Sequence, residues 1–257
     1  MRTDLPPCYR CHKQPCKCKD GVALYHGDCL DVMLAIEPES VDLVLTDPPY
    51  GISQIGVSHT RRPGKGSRNF DFFNNDTPQE AVSLMLKAAG LCNRLVTEKA
   101  SAYWWVGHYG FGPLISWYEG QSWKTRFLVW NKAAPCPPPP GSGWPSAAEL
   151  CVYAWRLGRT WTHDGKNYPQ SNVITADSYR HGMPGKVNHP TQKPLTVIRP
   201  LIQASSCKGH TILDPFAGSG TTGLACKELG RKAILIEIEE KYCEIAARRL
   251  EQGMLFG

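Results

Sequence analysis

Two short apolar runs, Val41–Thr46 (VDLVLT) and His210–Leu213 (HTIL), each break off into Asp-Pro and a turn rich in proline or glycine. A four- to six-residue apolar run that stops this abruptly reads as a strand buried on both faces, which only a parallel sheet covered by helices provides. Around these runs the chain alternates. Val22–Tyr25 reads as a strand, followed by an amphipathic helix with Leu30, Met33, Leu34 and Ile36 on one side, stopping near Pro38. Ala81–Leu95 has helical spacing, and Ser101–Val106, Phe127–Trp130 and Leu150–Trp155 are strand-like. A helix beginning near Leu195, a helix over Thr221–Leu229, a strand over Ala233–Ile238 and a helix over Tyr242–Leu250 complete the order. Strand and helix in alternation predict an α/β, doubly wound, mostly parallel sheet. At 257 residues and ~150 per domain, the length suits one large unit with an appendage.

Composition excludes several classes. With 42% hydrophobic and 20% charged residues the chain is ordinary for a globular protein. The longest stretch without Asp, Glu, Lys or Arg, Ala100–Tyr118, is broken by Gly107, Gly110, Gly112 and Pro113, so no membrane span is expected. Eleven cysteines with no secretory apolar core after Met1 point to a reducing compartment. The net charge of +6 is uneven. Arg61, Arg62, Lys65 and Arg68 form a run without an acid, and residues 156–193 hold Arg156, Arg159, Lys166, Arg180, Lys186 and Lys193 against Asp164 and Asp177. Local excess of this kind suits a polyanion footprint better than a generally basic surface. Residues 51–76 read as a basic loop and 156–188 as an irregular insertion. The aromatic stripe Tyr103, Trp104 and Trp105 reads as core packing rather than base stacking, and Trp144, in the proline-rich loop, suits local packing equally well.

Gly218-Ser219-Gly220-Thr221-Thr222-Gly223 has the G-x-G-x-x-G form between a strand and a helix, and Glu237 follows on the next strand. Such a turn lets the backbone approach a ligand while the acid accepts from ribose hydroxyls; NAD, FAD and S-adenosylmethionine all carry that ribose. Asp47-Pro48-Pro49-Tyr50 narrows the choice. Two prolines remove two N–H donors, which leaves a carboxylate and carbonyls as acceptors beside an aromatic ring. Acceptors of this kind suit an exocyclic amine on a flat base, because they localise the amine lone pair as the nitrogen becomes tetrahedral. Tyr50 would stack on a base flipped out of the duplex.

Three segments in this order, Asp47-Pro-Pro-Tyr50, His189-Pro-Thr-Gln-Lys193-Pro194 and Asp214-Pro-Phe-Ala-Gly-Ser-Gly-Thr-Thr222, resemble the circularly permuted, β-class DNA amino-methyltransferases that modify adenine N6 or cytosine N4. Gly27-Asp28-Cys29-Leu30-Asp31 and the helix Tyr242…Arg249 extend the likeness over about residues 22–252. The resemblance implies a Rossmann-like fold with S-adenosylmethionine over the loop formed by Asp214, Phe216, Ala217, Gly218, Ser219, Gly220, Thr221 and Thr222. It places Glu237 on the ribose, Asp28 near the adenine amine, and His189, Thr191 and Lys193 at the methionine end, its carboxylate above all, with Cys29 and Asp47 also among the cofactor contacts. Asp47, Pro48, Pro49 and Tyr50 would hold the target base at the methyl group, with no metal in the chemistry. Aspartate at position 47 is commoner in adenine enzymes, serine in N4-cytosine ones. By the same likeness the partner is double-stranded DNA, contacted by Arg61, Arg62, Lys65 and Arg68, and the setting is the cytoplasm of a bacterial or phage-infected cell with restriction and modification. The short recognition region points to a short target sequence or to help from a second copy of the chain in a homodimer.

Residues 1–20 cannot build a core by themselves. Cys8, Cys11, Cys16 and Cys18 suit a tetrahedral structural zinc ion, with His12 as a substitute ligand and a reduced tail as the alternative. Three other functions stand against the methyltransferase reading: N4-cytosine methylation, a zinc-assisted DNA-binding regulator on an inactive scaffold, and a nicotinamide oxidoreductase.

Overall fold

A computed structural model describes residues 4–51, 77–136, 144–156, 171–179, 183–189 and 191–252. The loop holding Arg61, Arg62, Lys65 and Arg68 lies outside them, as do Arg159, Lys166, Arg180 and Pro190. In chain order the elements are β1 (Val22–His26), α1 (Cys29–Leu34), β2 (Val41–Thr46), α2 (Pro78–Leu95), β3 (Val96–Val106), α3 (His108–Gly120), β4 (Lys124–Cys136), β5 (Ser146–Trp155), β6 (Val173–Ala176), α4 (Leu195–Ser205), β7 (Thr211–Asp214), α5 (Thr221–Leu229), β8 (Lys232–Glu237) and α6 (Glu240–Gln252).

The eight strands form one sheet in the order β1-β8-β7-β2-β3-β5-β4-β6. β1, β8, β7, β2 and β3 run parallel, while β5 pairs antiparallel with both β3 and β4. Strand alternation divides the core between two faces. Ala102 and Trp104 of β3 join α1, α2 and α3 on one side, and Tyr103 and Trp105 join α4, α5 and α6 on the other. The aromatic stripe is therefore packed, as expected. The connections from β2 and from β7 lead away in opposite directions across the sheet. The carboxyl ends of these two neighbouring strands thus sit where open α/β sheets bind ligands.

The structure corrects several boundaries. Val32, not Leu34, joins Met33 and Ile36 in the core, and Leu34 is 51% exposed because α1 ends there. Helix α3 runs through Gly110, Gly112 and Pro113, residues that read as breakers. Tertiary packing overrides their propensity: Leu114 and Tyr118 are buried, Trp104 Nε1 donates to the Tyr118 hydroxyl at 2.7 Å, and Gly110 leaves room for Met85. The insertion after Trp155 contributes β6, which pairs parallel with β4. Trp144 is 92% exposed, which leaves it little local packing. Among the described residues no helix is long and apolar enough to cross a membrane.

Candidate active site

A cleft of about 420 Å³ opens at the carboxyl ends of β1, β2, β7 and β8, within the size range of small-molecule sites. Gly27, Asp28 and Cys29 line it after β1, Asp47 to Gly51 after β2, Asp214 to Ser219 with Thr221 and Thr222 after β7, and Glu237 to Glu239 after β8. His189, Thr191 and Lys193 reach it from the segment before α4. Except for Gly220, the residues expected to bind cofactor or base share this cleft. Gly220 lies in the same turn as the N-cap of α5, at φ 75°. A Cβ there would stand 2.8 Å from that of Ala246, so glycine is required both by backbone conformation and by the approach of α6.

The turn is held from below and from the side. Glu237 accepts from Gly218 N with one oxygen and from Glu239 N with the other, each at 2.8 Å. Arg249 of α6, buried, donates to the Ser219 carbonyl at 2.5 Å and to the hydroxyls of Ser219 and Thr221. Asp214 accepts from Thr46 Oγ1 at 2.7 Å and from Phe216 N at 3.2 Å, which ties the glycine turn to the end of β2. Burial pushes the Asp214 carboxyl up to about 6, against hydrogen bonds from Thr222 and Thr46. Burial likewise raises Glu237. It lowers His189 to about 3, with Lys186 and Arg249 acting in the same direction, so its imidazole is neutral at physiological pH.

Asp28 caps α1 by accepting from Leu30 N at 2.8 Å, and a carboxylate used once in this way retains acceptor capacity for a ligand. Phe216 and the 56% exposed Ile238 add apolar surface to the cleft.

Asp47 lines the cleft at the end of β2. Its Oδ1 accepts from the Tyr50 hydroxyl at 2.5 Å, and its Oδ2 is ion-paired with Lys193. Lys193 is buried and also pairs with Glu149 Oε2 at 3.0 Å; Glu149 in turn pairs with Lys132 at 2.8 Å. The two carboxylates and two ammonium groups balance in charge. Burial pushes the Asp47 carboxyl above its ordinary value despite the pull of Lys193. For Lys193, burial opposes the charge, but Asp47 and Glu149 outweigh it and hold the ammonium above its ordinary value. Lys193 and Lys132 overcome the burial of Glu149 and hold it below.

Lys193, expected at the methionine end of a cofactor, lines the cleft with its ammonium between these two carboxylates. Glu149 and Trp105 line the cleft and were not anticipated. Glu149 lies one residue before the expected start of its strand, and an acid inside the apolar run Ala147–Tyr153 was the available signal. Trp105, read only as core, has its ring 5.4 Å from Lys193 Nζ. Of the basic residues expected to form a footprint over 156–193, Arg156, Lys186 and Lys193 lie among the described residues. Arg156 donates to the Asn93 carbonyl at 3.2 Å and lies over the Trp123 ring, Lys186 donates to the His189 carbonyl, and Lys193 is buried.

In the leader, the thiol sulfurs of Cys8, Cys11, Cys16 and Cys18 all lie within 4.8 Å of one another. His12 is not part of that group.

Comparison with known proteins gives concordant matches. The DNA methylase family N6_N4_Mtase matches residues 41–248. The type II methyltransferase M2.LlaDCHI of Lactococcus lactis subsp. cremoris is 29% identical over 255 residues, covering 93% of either chain. M2.DpnII of Streptococcus pneumoniae, also a type II methyltransferase, is 28% identical over 249 residues, covering 91% of either chain. Among solved structures, the cytosine-N4-specific PvuII DNA methyltransferase superposes with a TM-score of 0.72 at 18% identity, over 91% of this chain and 88% of its own. The complex of M1.HpyAVI with SAM gives a TM-score of 0.66 at 22% identity, over 89% and 98%. At these identities the two structures bear on the fold.

Proposed function

Because this chain belongs to the N6/N4 DNA methylase family and is an S-adenosylmethionine-dependent DNA methyltransferase, we propose that it methylates the N6 amine of an adenine flipped out of double-stranded DNA. The observation that carries the reading is the place of Asp47. Asp47, with Pro48 and Pro49, lines one cleft with the glycine turn and Glu237.

The donor set suits the cofactor. Glu237 and Asp28 offer acceptors to ribose hydroxyls and to an adenine amine, and Phe216 and Ile238 offer apolar faces to its ring. His189 and Thr191, which also line the cleft, would hold the methionine carboxylate, as the family resemblance implies. When bound, S-adenosylmethionine supplies an electrophilic methyl group on a sulfonium centre.

The remaining work falls to the chain's own residues. Asp47 and the Pro48 carbonyl accept the two amine hydrogens, which turns the nitrogen lone pair out of conjugation and toward the methyl carbon. With that donor bound, an N–C bond would form as its C–S bond breaks, and the methylated nitrogen would give up one proton. The Asp47 carboxylate, raised by burial, is placed to take that proton and pass it to solvent. For the amine to bind, it replaces the Tyr50 hydroxyl on Asp47 Oδ1, and the freed ring stacks on the base. Lys193 keeps hold of Oδ2 throughout and fixes the plane of the carboxylate. Aspartate rather than serine at position 47 favours adenine over cytosine, as the family tendency suggests. Placement in the cytoplasm of a bacterial cell, beside a restriction system, fits the relatives.

Asp47→Ala tests the assignment. Calorimetry with S-adenosylmethionine should show affinity nearly intact, while methyl transfer falls below detection. Equal loss of binding and turnover would make Asp47 a cofactor residue and overturn the mechanism.

A further inference from the structure

The leader contains a cysteine cluster that methyl transfer does not use. Cys8 Sγ lies 3.9 Å from Cys18 Sγ, and Cys11 Sγ lies 3.9 Å from Cys16 Sγ. A disulfide requires ~2.05 Å between sulfurs, so these pairs are not cystines. Four thiolates at ~2.3 Å from a central Zn²⁺ form a tetrahedron with edges of about 3.8 Å, close to the 3.9 Å of these two pairs, and all four sulfurs lie within 4.8 Å of one another. Two backbone N–H groups also point at the sulfurs, Lys17 N to Cys11 at 3.4 Å and Cys18 N to Cys16 at 3.5 Å, as suits thiolates that need donors.

The cluster occupies a definite place in the fold. β1 ends the sheet, so its outer edge would present unpaired backbone groups. The leader covers that edge: Tyr9 N donates to the Leu24 carbonyl at 2.7 Å, and Arg10 Nη1 donates to the Val22 carbonyl at 2.6 Å. Arg10 is itself fixed by a two-pronged pair with Asp20 at 2.8 Å. Cys8 is fully buried against the core that contains Tyr25. A segment this short buries too little apolar area to offset the entropy of ordering it.

We propose that Cys8, Cys11, Cys16 and Cys18 bind one structural Zn²⁺ ion, which fastens the leader across the outer edge of β1. Four protein ligands leave no open coordination position, so the ion takes no part in the reaction. The site is separate from the cleft, and its test does not depend on methyl transfer.

The full chain, purified without added metal or chelator, is examined for metal content and for thiol reactivity. The expected result is about one zinc per chain, with the four leader thiols protected from alkylation while exposed Cys207 reacts, and protection lost on chelation. A Cys8→Ser/Cys11→Ser variant should lose the zinc. Since that variant could misfold, exchange of the wild-type ion for Co²⁺ supplies a second readout: the visible absorption of tetrahedral cobalt with a thiolate charge-transfer band. Metal-free protein with leader thiols as reactive as Cys207, iron in place of zinc, or leader disulfides would each overturn the proposal.

Discussion

Lys193 sits between Asp47 and Glu149, and its removal leaves two enclosed carboxylates facing one another. Breaking a buried ion pair from one side costs roughly 3–5 kcal/mol. Lys193→Met is therefore expected to lower stability on that scale in denaturant titrations, and Lys193→Met/Glu149→Gln to recover part of the loss. A positioning role makes a further demand: Lys193→Met should reduce kcat by about 100-fold with little change in cofactor affinity. Loss confined to affinity would return Lys193 to the methionine end of the cofactor. Asp214 gives a pH test. Its carboxyl holds its proton more tightly folded, at about 6, than at its ordinary 3.8, so in that window the native state carries more protons and stability falls as pH rises. Asn keeps the acceptor and cannot ionise. Asp214→Asn should accordingly gain relative to wild type, by up to roughly 3 kcal/mol, between about pH 4 and pH 7; a pH-independent difference would contradict this. At this scale Asp47, Gly218 and Glu237 were legible because a strand end and a turn announce them. Glu149 was not, since its importance comes from β5 lying beside β3 in the sheet, a neighbour remote in sequence.

The glycine turn and its helix act together. Gly220→Ala forces a Cβ to 2.8 Å from Ala246 at φ 75°, and the left-handed backbone alone costs ~1–2 kcal/mol. It should lower both stability and cofactor affinity, read by thermal melts with and without S-adenosylmethionine. Gly112→Ala is the contrast, because nothing lies within 4 Å of the added Cβ in α3. It should be neutral or stabilise by about 0.4–1 kcal/mol. If both variants behaved alike, the turn's geometry would not matter. Elements with a clear period were legible: α5 spans the residues expected, and β2 and β7 agree to within a residue. α3 was not, because its glycines and Pro113 speak for local breakage while Trp104, Tyr118 and Met85 hold it in place from elsewhere. β6 was missed for a related reason: four residues are too few for a period, and pairing with β4 defines the strand.

For the whole molecule, the sheet order brings two segments far apart in the chain, Asp47–Tyr50 and Asp214–Thr222, to adjacent strand ends. That convergence, not either segment alone, makes the site. We propose that DNA is contacted by the basic run Arg61, Arg62, Lys65 and Arg68. Neutralising all four should flatten the slope of log affinity against log salt by roughly 3–4, at ~0.9 per phosphate contact; an unchanged slope would make them bystanders. The central claim is the reaction itself. The most direct measurement incubates the chain with labelled S-adenosylmethionine and genomic DNA lacking adenine methylation, then digests the DNA to nucleosides for mass spectrometry. Labelled N6-methyladenine, absent with Asp47→Ala, is the expected product, and N4-methylcytosine without N6-methyladenine would contradict the choice of base.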